Sequence, residues 1–188
     1  MAHSDRLNRV ALDAIADQVG ILYPDLVDNQ TYRQKSAELT ETFAVWFIGQ
    51  QDITTDGKDI VDLAQNTGRW HSQVLIDGIP ELVARSAPPF AGSYDFQVKQ
   101  LIEGELAEEI AEAINWIDEY VTGNPLVRIL EIPAFHLTAF WLIGQGENHV
   151  LIARIPSAYK SLTRRQLYSS KDFLRLLQHE QPISDILQ

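Results

Sequence analysis

The chain has 188 residues and no cysteine, with 26 acidic against 15 basic side chains and a formal net charge of −11. Such a length supports one domain with a core of its own, and the missing cysteines exclude disulfides, thiolate metal sites and cysteine nucleophiles. The negative balance disfavours general binding to phosphate backbones and docking on anionic membranes, so no nucleic acid and no membrane is expected as a partner.

The first residues, 1–9, are polar, and no apolar stretch follows that would serve as a signal peptide. A cytoplasmic location is the expectation. The spacing of Leu7, Val10, Ala11, Ala14, Ile15 and Gln18 predicts a helix over 4–19, capped by Ser4 and stopped by Gly20. Tyr23-Pro24-Asp25 then reads as a turn. Residues 29–41 are polar and predict a second helix with Thr31 as cap. Residues 43–48 are continuously apolar, a pattern shared by buried helices and buried strands; they read as continued helix ended by Gly49. After a loop over 50–58, residues 59–65 predict a short helical stretch.

The pattern over 70–85 predicts a hairpin. Trp70, Ser72, Val74 and Ile76 alternate with His71, Gln73, Leu75 and Asp77, and Asp77-Gly78 suits a type I′ turn. Pro80 cannot donate to a ladder, which places the second strand at an edge; a helix starting at Pro80 is the competing reading. Residues 86–93, with Pro88-Pro89 and Gly92, form an irregular connection. A long helix is expected over about 94–121, on the stripe Ile102, Leu106, Ile110, Ala113, Ile117 and Val121, weakened by Gly104.

Residues 127–155 read as strands. Pro133 interrupts them, and 144–148 form a turn. Pairing Ile143 with His149 would set Trp141 against Leu151 and Ala139 against Ala153 on a wholly apolar face. The opposite face would pair Phe140 with Ile152 and Thr138 with Arg154, and stay half-apolar. Short helices over 161–167 and 170–179 close the chain, the second capped by Ser170 with Phe173, Leu174 and Leu177 inward. One repetition stands out: 44–50 and 139–145 match at five of seven positions. Their flanks do not match, which favours coincidence; a true duplication would make the first copy a strand. The fold class expected is α+β: an antiparallel sheet, with hairpins near 70–85 and 127–155, packed against the helix at about 94–121, with further N- and C-terminal helices, all in a single domain over 1–188.

Catalytic motifs are not in evidence. The chain has no phosphate-cradling glycine loop, no Gly-x-Ser-x-Gly elbow and no helical histidine pair. No cofactor or metal is called for, and catalytic residues are unassigned. The carboxylates of 103–119 avoid the apolar stripe and read as a solvated face, with a protein-docking surface as the alternative. Arg154, Lys160, Arg164, Arg165, Lys171 and Arg175 likewise read as a solvated basic face. His71, His136 and His149 all fall near strand ends or turns, where converging imidazoles could supply a base or hold a metal. Arg69, Arg85, Arg128 and Arg154 could grip a carboxylate or phosphate, although pairing with Glu81, Glu131 or Glu147 is favoured.

The leading expectation is a non-catalytic binding or accessory protein, self-associating through the Phe140 face of the sheet. The alternative is a small-molecule-binding domain or enzyme whose pocket is framed by His71, His136 and Arg154. A third reading has a protein partner docking on the acidic helix.

Overall fold

The computed structural model describes residues 3–26, 36–54, 57–90, 93 and 95–182. The fold class is α+β. The chain divides into two compact units. The first comprises 1–4, 45–67 and 112–188, and the second comprises 5–44 and 68–111. No described helix is long and apolar enough to cross a membrane.

In the second unit, α1 (Arg9–Leu26) starts five residues later than expected and runs through Gly20 and the supposed turn at Tyr23. Its cap is Asn8, whose side-chain oxygen accepts from the Ala11 N–H at 2.8 Å. Ser4 lies instead in β1 (His3–Ser4). A glycine inside a helix costs about 1 kcal/mol, and packing outweighs that cost here. Ala11, Ile15, Val19 and Tyr23 recur every fourth residue and are all buried against a sheet. That sheet runs from the first part of β2 (Ala37–Phe47) through β3 (Gln65–Ile76) and β4 (Ile79–Ala87) to β5 (Gln97–Glu103).

The hairpin forms as the pattern requires. Ile76 pairs with Ile79, and Asp77 and Gly78 adopt φ of 51° and 82° at the turn. Pro80 is not on an edge strand, because β5 pairs on the far side of β4. The proline is tolerated since β5 reaches only as far as Leu82 and the β3–β4 register shifts beside it, between Val74 and Leu75.

The expected helix over 94–121 is two elements. Residues 97–103 form β5, and α4 (Glu105–Tyr120) comes after it. Gly104 is the divider. Its φ of 76° breaks the strand, and its carbonyl accepts from the N–H groups of Ala107 and Glu108 to open the helix. Ile102, counted in the helical stripe, is therefore a strand residue.

At the outer edge of this sheet, Gln18 of α1 acts as a substitute strand. Its Nε2 donates to the Phe96 carbonyl at 2.8 Å, and its Oε1 accepts from the Val98 N–H at 2.9 Å. A one-residue register shift between Arg85 and Ser86 leaves Lys99 as the extra residue just beyond. Both devices discourage edge-to-edge association. Gln18→Ala is expected to cost about 1–3 kcal/mol by stranding two edge groups, read as a lower urea midpoint. An unchanged midpoint would mean that water serves those groups equally well.

The first unit is built on β6 (Leu126–Ile132), β7 (Leu137–Ile143), β8 (His149–Arg154) and β9 (Leu167–Ser169). The later part of β2 and the short β1 both pair with β6 in parallel, so the sheet is mixed rather than antiparallel. Residues 43–48, expected as helix, thus belong largely to β2, as a duplication of the 139–145 segment would require. The expected helix over 29–41 is strand from Ala37 onward, and 29–35, with Thr31, lie outside the described residues. Two single-turn helices, α2 (Gln50–Ile53) and α3 (Ile60–Leu63), come after β2, with Asp59 capping the second.

The β7–β8 register is displaced by one from expectation. Leu142 faces His149, Trp141 faces Val150 and Ala139 faces Ile152, and only Thr138–Arg154 agrees, beyond a register shift. One face joins Leu130, Leu137, Ala139, Trp141, Val150 and Ile152 to Phe173, Leu174 and Leu177 of α5 (Ser170–Gln178). The opposite face, expected to be half-apolar and to serve self-association, is buried within the chain at Phe140 and Leu151, both 0% exposed. Residues 161–166 form bends and a turn rather than a helix, with Arg165 at φ 58°, and Leu167 already belongs to β9. Ser169, not Ser170, caps α5 by accepting from the Asp172 N–H at 3.1 Å.

Candidate functional site

The three residues expected to frame a pocket are divided between the units. His71 lies on β3 of the second unit, where it is buried and faces Arg85 on β4. The Arg85 Nε donates to His71 Nε2 at 3.0 Å, and Arg85 Nη1 reaches Gln100 Oε1 of β5 at 3.4 Å. Burial, reinforced by the charges of Arg85 and Arg69, lowers the imidazole pKa to about 3. Since Nε2 accepts, Nδ1 carries the ring proton. An imidazole so weakly basic is poorly matched to general-base work near neutral pH.

His136 and Arg154 lie in the first unit. His136 is exposed and left-handed, at φ 49°, closing the 3₁₀ turn Pro133–Phe135. Arg154 is half-buried and faces Thr138, which faces the buried Glu131 in turn, so the three form one row across β8, β7 and β6. Among the described residues, no three of His, Asp or Glu are grouped as a metal site requires.

Two further arginine expectations resolve as structure. Arg128 lies over indoles: its guanidinium carbon is 4.3 Å from the Trp46 ring centroid and 5.5 Å from that of Trp141. The two rings meet edge-on at 5.7 Å. These tryptophans hold equivalent places in the repeated segment, and β6 lies between them. Arg164 and Arg165 both engage Glu112 of α4, and Arg175 pairs with Asp172, so two carboxylates partly offset these three arginines of the basic face.

A concave site lies elsewhere in the first unit. After α4 ends, Gly123 turns the chain at φ 90° and Pro125 leads into β6. The pairing of Leu126 with Ile143 sets this connection beside the turn at the end of β7. Between them is a cleft of about 440 Å³. Val121, Pro125, Leu142 and Leu167 supply its apolar surface, and Thr122, Asn124, Gln145, Glu147 and His149 its polar groups. His149 Nε2 stands 4.0 Å from Glu147 Oε2, beyond hydrogen-bond length. The sequence marks both segments as loops, and His149 as a residue at a turn. Their meeting depends on the antiparallel pairing of β6 and β7, which sets the loop entering β6 beside the loop leaving β7.

No protein-family model, no curated protein and no solved structure matches the chain.

Proposed function

We propose that the chain is a non-catalytic binding protein, working in the cytoplasm, and that the first-unit cleft is its recognition site. The observation that carries this reading is the composition of the cleft. An apolar surface is combined with amide, hydroxyl, imidazole and carboxylate groups on two adjoining loops, the usual make-up of a site that binds a small molecule by shape and a few polar contacts. The volume sits toward the small end of the range for such pockets. Self-association, if it occurs, must use a surface other than Phe140, because that side chain is buried within its own chain.

The test fills the cleft. Gly144 lines it at an ordinary φ, and a Cβ added there meets nothing within 4 Å. Gly144→Leu should fold normally and abolish the chemical-shift changes that a small-molecule library produces at 121–125 and 142–149. Binding that survives in the variant would place recognition elsewhere.

A further inference from the structure

We propose that the cleft selects a small organic cation, an ammonium carried on an alkyl stem. The inference rests on the cleft being a binding site and goes further, to the charge of its ligand.

Three features of the site point the same way. The lining includes the carboxylate of Glu147 and no lysine or arginine. The cleft also opens where α4 ends, with Val121 and Thr122 in its wall. A helix C-terminus carries about half a negative charge on its terminal carbonyls, normally offset by a basic residue in the last turn. That turn of α4 has no basic residue, and it exposes Asp118 and Glu119 instead. Finally, the apolar surface of Val121, Pro125, Leu142 and Leu167 offers an alkyl stem a place to shed water while its charged end stays at the rim. A carboxylate or phosphate would meet a field of its own sign here. The chain's net charge of −11 adds a long-range contribution that steers cations toward it.

The geometry assigns the roles. Glu147 is the primary counter-ion, its side chain 58% exposed and free to swing toward a ligand. Asn124, Gln145 and Thr122 can each accept one hydrogen bond from an ammonium. Because the carboxylate is exposed, salt should weaken the interaction.

The experiment titrates three probes of nearly equal shape into the isotopically labelled full chain: n-butylamine, n-butanol and butyrate. The amine alone should shift resonances at 121–125, 142–149 and Leu167, with an affinity that falls as sodium chloride is raised. Glu147→Gln, an exposed and nearly isosteric change, should weaken the amine about threefold and leave the protein's fold unchanged. Equal binding of amine and alcohol, or an unchanged amine affinity in Glu147→Gln, would overturn the cation assignment while leaving the cleft as a binding site. Failure of every probe and of an uncharged library to move those resonances would remove the cleft reading as well.

Discussion

Truncating Phe140 to alanine is expected to cost about 3–5 kcal/mol of stability, the usual range for removing a fully buried aromatic side chain. Phe140 is 0% exposed on β7, between Ile129 of β6 and Leu151 of β8, both also fully buried. The measurement is urea denaturation at two protein concentrations. The loss should be the same at both, because the ring packs within its own chain. If Phe140 instead sat in a contact between copies, the wild-type midpoint would rise with concentration and the variant would stay folded as a monomer. Phe140→Asp should be harsher still, since a carboxylate at that position would have to be buried without water.

The second large effect is a loss of stability in mild acid traced to His71. Its folded pKa is about 3, held down first by burial and then by Arg85 and Arg69, against an unfolded value near 6.5. Between those limits the unfolded chain binds more protons than the folded one, so acid favours unfolding. The contribution of the neutral imidazole is therefore complete above about pH 6.5 and is lost as pH falls toward 3. At about pH 5 the loss amounts to about 2 kcal/mol. His71→Gln keeps an acceptor for the Arg85 Nε and does not titrate. The wild type should lose about 2 kcal/mol more than this variant on going from neutral pH to about pH 5. Parallel pH profiles for the two proteins would show that the imidazole is protonated in the folded state at ordinary acidity. The ring C–H resonances give an independent check, since those of His71 should stay flat through the normal histidine range.

Local chemistry made some elements legible. Asp77-Gly78 supplies two residues that tolerate positive φ, and alternation on either side marks the strands, so the β3–β4 hairpin is dictated by its own residues. Phe173, Leu174 and Leu177 fall on one face at helical spacing and bury as α5. The α+β class, the break at Pro133 and the turn over 144–148 were readable in the same way. The absence of cysteine ruled out whole classes of chemistry before any fold was known.

Elsewhere the decision lay with tertiary partners. The segment 43–48 is apolar at every position, so it carries no period, and pairing with the neighbouring strands β3 and β6 makes most of it strand rather than helix. Leu137–Ile143 and His149–Arg154 are apolar on both faces, and a one-residue slip changes nothing in their pattern; the bulge beside Thr138 chooses the register. Residues 97–103 look helical because Ile102 extends the α4 stripe, and the left-handed glycine that separates them is a conformation rather than a pattern. For the site, the sequence supplied the candidate groups, including His149, but not their grouping. Which loops face each other depends on strand order, a long-range property set by the burial of β6 between two tryptophan-bearing strands. That order brings 121–125 to the β7–β8 turn and leaves His71 in a different unit from His136 and Arg154.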